Sequence, residues 1–194
     1  MKNSILTLTV LLLAAHFSFA QSRQILQLDS FENVDLDGNI RLFLEQGTTP
    51  VVELEAKKER HLAEYYVEVR NGTLFIQHRE EEGFRSAPKI HVYLSHPGIS
   101  GLEMDGLIHV VSTAPVESET LRIKGDGLIK GDLEVNVKTL KIGLDGLCTM
   151  YLSGHADEAD LQLNGMGKID ARELETAELR KSADGLARVR VGGR

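Results

Sequence analysis

Residues 121–146 read LRIKGDGLIKGDLEVNVKTLKIGLDG, and they state one pattern twice. Leu121-x-Ile123 leads to Asp126-Gly127-Leu128, and Leu140-x-Ile142 leads to Asp145-Gly146-Leu147. Looser copies follow as Leu161-x-Leu163 with Met166-Gly167, and as Leu179 with Asp184-Gly185-Leu186. An earlier copy is Leu102-x-Met104 with Asp105-Gly106-Leu107. The glycines at 106, 127, 146, 167 and 185 recur at a period of about 20 residues,. Apolar residues alternate within each copy, so the repeating unit is extended chain and not helix. The pattern predicts all-β architecture: a right-handed parallel β-helix-like solenoid with an N-terminal β-rich cap.

Within each unit, alternation puts Leu121 and Ile123, or Leu140 and Ile142, on one face, with Arg122, Lys124 and Lys141 on the other,. Asp-Gly is expected to turn the corner and to return Leu128 or Leu147 to the interior. Gly38, Gly106, Gly127, Gly146, Gly167 and Gly185 are therefore read as structural turns,. Equivalent residues would stack at ~4.8 Å, so five passes make a column roughly 20–25 Å long. Such a column needs few aromatics. After Pro97 the chain has only Tyr151, whereas Phe31, Phe43, Tyr65, Tyr66, Phe75, Phe84 and Tyr93 precede it.

Working outward, the chain divides into a leader and one domain. Lys2, the apolar run Ile5–Ala15 and the small residues of Ser18-Phe19-Ala20 match a cleaved secretory signal over residues 1–20,. The run is too short to span a bilayer, and no membrane span is expected elsewhere. A single β-solenoid domain over 21–194 remains, with 21–98 as the cap region and 99–194 as the repeat rungs. Without the leader, 21 basic and 29 acidic residues leave a charge near −8. Nucleic acid and anionic lipid, which need a basic footprint, are therefore not expected partners. Cys148 is the only cysteine, so no internal disulfide forms, and a buried inert thiol is expected,.

In 21–98, strands are expected around Ile25–Leu28, Phe31–Leu36, Ile40–Leu44, Val51–Glu55 and Lys89–Leu94,. A short helix is expected within Lys57–Glu64. Tyr66–Arg70 and Thr73–Ile76 form a hairpin about Asn71-Gly72, the pair a type I′ turn requires,. Arg79–Ser86, with Glu80-Glu81-Glu82, reads as a charged loop,.

These residues resemble a known family. Phe31-Glu32-Asn33-Val34, Gly38-Asn39-Ile40, Gly125-Asp126-Gly127-Leu128-Ile129 and Gly165-Met166-Gly167-Lys168-Ile169 are similar to the putative auto-transporter adhesin, head GIN domain family, over roughly 24–192. The resemblance implies an exported bacterial protein, commonly from the Bacteroidetes, with a parallel β-helix-like fold. It brings no catalytic residue with it. The chain departs from the family in placing Asp or Met where Gly-Ser-Gly is usual, which makes the turn surface more acidic. Lys181 stands where Ile123 and Ile142 stand, and the last copy reads as a closing coil whose lysine snorkels outward,.

Chemistry-bearing patterns are sparse. Asp105, Asp126, Asp145 and Asp184 could line one edge and are the candidate ligands for a hard cation such as calcium,. The glycine-rich calcium nonapeptide is absent, Met166 interrupts the row, and Asp-Gly is the ordinary means of building a tight turn. No metal or cofactor is expected. His61, His78, His91, His96, His109 and His155 show no metal-ligand spacing,. A sugar platform would fall near Tyr65, Tyr66 and Phe84, residues that also suit core closure.

The function expected is an exported, non-catalytic, adhesin-like or envelope interaction module in the periplasm, on the outer-membrane surface or outside the cell. Its partner would be an envelope protein or a surface glycan, and homo-oligomers are possible through the solenoid ends. The alternative is a polysaccharide-active hydrolase or lyase on the same scaffold, which would need a spaced carboxylate pair. Fold analogy alone supplies no such site.

Overall fold

The computed structural model describes residues 22–79 and 87–192. The leader over 1–20, the Glu80–Glu82 run, Phe84 and the last two residues lie outside the described residues. Of the described residues, 81% are strand and 3% helix, and the sheet curls as a half-barrel. Eight strands, β1 (Ser22–Gln27), β2 (Asn33–Gln46), β3 (Val51–Ala56), β4 (Tyr65–Arg70), β5 (Thr73–His78), β6 (Ile90–His96), β7 (Gly101–Ser112) and β8 (Val116–Val191), enclose one core.

The N-terminal part is built about β2. One edge of β2 pairs in parallel with β5 over Asn33–Asp37 and with β6 over Ile40–Gln46. Its other edge pairs in parallel with β7 over Asn33–Leu44. β3 lies antiparallel on β6, and β1 antiparallel on β3. β4 and β5 form the hairpin expected at Asn71-Gly72, where φ is +51° and +72°. Among the described residues the single helix, α1 (Glu59–Ala63), is shorter than Lys57–Glu64. Lys58 precedes it without a side-chain cap, and only Leu62 is buried from it,.

β8 holds the repeats, and its first pass continues the parallel stack: Gly101–Val111 of β7 pairs with Arg122–Asp132. Gly38, Gly106 and Gly127 are therefore in register. Beyond them, a β-carbon on Gly146 would meet Gly127, one on Gly165 would meet Gly146, and one on Gly185 would meet Gly165. The glycine column is thus 38–106–127–146–165–185. Gly167, expected in it, instead stacks on Cys148. The Gly165-Met166-Gly167 segment offers two glycines, and the 19-residue step from Gly146 selects the first.

The inward column contains Leu121 and Ile123, then Leu140 and Ile142, then Leu161 and Leu163, all fully buried. Leu128 and Leu147 do not join it. They are 39% and 48% exposed, and Ile129 and Cys148 point inward in their place. The two-residue period continues across the bend, with the glycine taking one step of it between the outward aspartate and the outward leucine. This corrects the expected return of these leucines to the interior.

Candidate functional site

Parallel in-register stacking turns each position of the repeat into a ladder on the outer surface. Asp37, Asp105 and Asp126 are mutually in register. Asp145, Asn164 and Asp184 stand at the same place, each just before a glycine of the column. Asn164 fills the row where Met166 was expected to break it. Two residues earlier runs a second ladder, Asp35–Glu103–Lys124. Together these ladders border an open groove of about 660 Å³ lined by Asp35, Asp37, Glu103, Asp105, Asp126 and Asp145, among others.

Polar side chains tie down one wall. The Lys124 ammonium bridges to Glu103 at 2.7 Å. Gln77 donates to Asp35 at 2.8 Å and accepts from the Tyr66 hydroxyl. Asp37 is half-buried. Burial above all, with the carboxylates of Asp105 and Asp35 beside it, raises its pKa above the ordinary carboxylate value. His78 opposes that shift.

The four aspartates singled out as cation ligands share a row but not a point. At ~4.8 Å per pass, Asp105 and Asp184 stand roughly 19 Å apart. Among the described residues, no three His, Cys, Asp or Glu side chains converge to hold a metal ion. His155 pairs with exposed Asp157, at 3.1 Å. Tyr65 is buried at 3% exposure and closes the core beneath the groove rather than offering a sugar platform. Its hydroxyl accepts from the Asn39 N–H and donates to the Pro88 carbonyl, both at 3.0 Å. Burial pushes its pKa up to about 12. Cys148, 1% exposed, has a thiol that burial pushes up to about 11.

Two further ladders run along the outer surface. Leu107, Leu128, Leu147, Met166 and Leu186 each follow a column glycine, and their exposure runs from 39% to 74%. In the sequence an apolar residue follows each glycine of the column from Gly106 onward, whereas Asn39 follows Gly38, and Leu128 and Leu147 were expected inside. Two residues further on stand Arg41, His109 and Lys130 in register, then Thr149, Lys168 and Arg188. Burial, with Arg41 and Lys130 beside it, holds the His109 pKa below the ordinary histidine value. The outer surface therefore carries an acidic, an apolar and a basic ladder side by side.

No helix of the described residues is long and apolar enough to cross a membrane. The family described as "Putative auto-transporter adhesin, head GIN domain" matches residues 30–194. Among solved structures, a putative adhesin from Bacteroides fragilis superposes with a TM-score of 0.82 at 20% identity, over 89% of this chain and 80% of that one. A putative adhesin from Parabacteroides distasonis gives 0.71 at 17% identity, over 89% and 82% of the two chains. A putative lipid binding protein from the same species gives 0.60 at 15% identity, over 89% and 97%. At these identities the likeness is one of fold. No curated protein matches.

Proposed function

This chain belongs to the head GIN domain family of putative auto-transporter adhesins, and on that premise we propose that it is an exported, non-catalytic, adhesin-like interaction module of the cell envelope. The observation that carries this reading is the groove whose border is a ladder of carboxylates repeated in register from Asp37 to Asp145. A surface built by repetition presents one chemistry over an extended length, which suits an extended partner better than a single small molecule. In this reading the passes of β8 form a right-handed β-solenoid that acts as a rigid rod. The partner brings positive charge: the basic segment of an envelope protein fits, and an amino-bearing glycan is the other candidate.

A second reading, a polysaccharide-active enzyme, is favoured by one feature. Asp37 has a raised pKa beside other carboxyl groups, as a general acid requires,. Two measurements separate the readings. Binding of the purified protein to isolated envelope fractions should weaken sharply with salt and be lost in Asp126→Lys and Asp145→Lys. Turnover on acidic or neutral glycans, abolished by Asp37→Asn or Asp126→Ala, would overturn the non-catalytic reading.

A further inference from the structure

We propose that the apolar ladder and its two charged flanks form a lateral docking surface for a second copy of this chain. Leu107, Leu128, Leu147, Met166 and Leu186 make a continuous exposed apolar stripe. On one side lie Asp105, Asp126, Asp145, Asn164 and Asp184, and on the other His109, Lys130, Thr149, Lys168 and Arg188. Such an acidic–apolar–basic stripe is its own complement under one symmetry. A two-fold axis running along the stripe brings leucine onto leucine, pass by pass. It also sets the acidic row of each copy over the basic row of its partner. Asp126 then faces Lys130, and Asp184 faces Arg188. A two-fold axis across the stripe would set acid on acid and is excluded by repulsion.

The charges themselves favour this occupant. Elsewhere on the surface, the passes neutralise one another: Lys124 pairs with Glu103 and Lys138 with Glu119, at 2.7 and 2.6 Å. Along the stripe they do not. Among the described residues, Asp105, Asp126, Asp145, Lys130 and Arg188 make no ion pair within the chain, and the carboxylates of Asp105, Asp126 and Asp145 sit directly above one another. Like-charged neighbours on adjacent strands oppose folding, and a second copy supplies counter-charges to Asp126, Lys130, Asp184 and Arg188. Each pass contributes ~4.8 Å of length, and the three rows span about 13 Å of chain. The footprint is then about 300 Å² per copy, below that of a permanent dimer, so the association is weak and concentration-dependent. The carboxylates of Asp105, Asp126 and Asp145 that border the groove are the ones that meet the partner's basic row, so a groove ligand and a second copy compete for them. The dimer forms without the groove's ligand.

Sedimentation equilibrium of the protein over residues 21–194, from about 10 µM to about 1 mM, tests the proposal at the weak affinity such a footprint predicts. A monomer–dimer equilibrium that weakens in high salt is expected. Leu128→Arg with Leu147→Arg should leave a monomer with an unchanged circular dichroism spectrum. Asp126→Lys with Asp184→Lys should be monomeric, as should Lys130→Glu with Arg188→Glu. Mixing those two charge-reversed proteins should restore a dimer. A wild-type protein that stays monomeric throughout overturns the proposal. So does a dimer indifferent to the leucine substitutions, or a mixture that does not associate. Leucine-dependent binding of the monomer to phosphatidylcholine vesicles would assign the stripe to lipid and overturn it as well.

Discussion

A β-carbon on Gly146 would stand 2.6 Å from the carbonyl oxygen of Gly127 in the neighbouring pass. The two glycines have φ of +91° and +109°. The bend in each pass thus requires glycine twice over, for backbone conformation and for the closeness of the next coil. Gly143, three residues earlier, has open space where a β-carbon would stand and no such φ. Gly146→Ala should therefore cost at least about 1–3 kcal/mol from backbone strain alone. Gly143→Ala should change stability by no more than about 1 kcal/mol. Urea unfolding of the two variants against the parent checks the contrast.

The inward and outward leucines should respond differently to truncation. Ile142→Ala and Leu140→Ala open cavities in a dry column and should each lose about 2–5 kcal/mol. Leu128→Ala removes an exposed side chain and should lose less than about 1 kcal/mol. Equal losses at Leu128 and Ile142 would place Leu128 inside and contradict the alternation through Gly127.

The Tyr65 hydroxyl holds the Asn39 N–H and the Pro88 carbonyl in the part of the core beneath the groove. Tyr65→Phe keeps the ring and leaves both backbone groups without that partner. A loss of about 1–3 kcal/mol is expected by thermal or urea unfolding.

Asp37 gives stability a pH dependence of definite sign. Its pKa is raised in the folded chain, so the folded state holds this proton more tightly than the unfolded state does. Its contribution is fully present below the unfolded carboxylate pKa. It is lost as the pH rises from there through the raised folded value. Asp37→Asn should flatten that fall and leave the protein more stable than the parent at neutral pH. Urea midpoints measured from pH 4 to pH 8 would show it, and a variant with the parent's slope would contradict it.

Cys148 should be inert while the chain is folded. Its thiol is buried, and its pKa is pushed up to about 11. A colourimetric thiol reagent at pH 8 should therefore react only as the protein unfolds. A rapid stoichiometric reaction in the native protein would show that the pass around Cys148 opens.

Much of this architecture was legible before any tertiary contact was known. Alternation in Leu121-x-Ile123 and Leu140-x-Ile142 specifies an extended chain with one apolar face. The spacing of the glycines specifies that such segments recur and stack. Asn71-Gly72 specifies the hairpin, because few other pairs take up left-handed backbone so readily. The absence of tryptophan and the loss of aromatics after Pro97 agree with a narrow aliphatic column. All of these are local properties, decided by steric preference and periodicity within a few residues.

The side of the wall on which each residue lies was decided only by the assembled sheet. Leu128-Ile129 and Leu147-Cys148 are both apolar pairs, and either member could occupy the interior after the bend. Stacking against the neighbouring pass chose Ile129 and Cys148, and so turned five apolar residues into a stripe on the outside. In the same way, Gly165 and Gly167 are locally equivalent, and the register with Gly146 selected Gly165. The acidic groove likewise exists only because Asp37, some 70 residues earlier in the chain, comes into register with Asp105 and Asp126. Sequence determines the period and the bend; long-range pairing determines which ladders meet and which face solvent, because burial is settled by neighbours that the local chain does not contain.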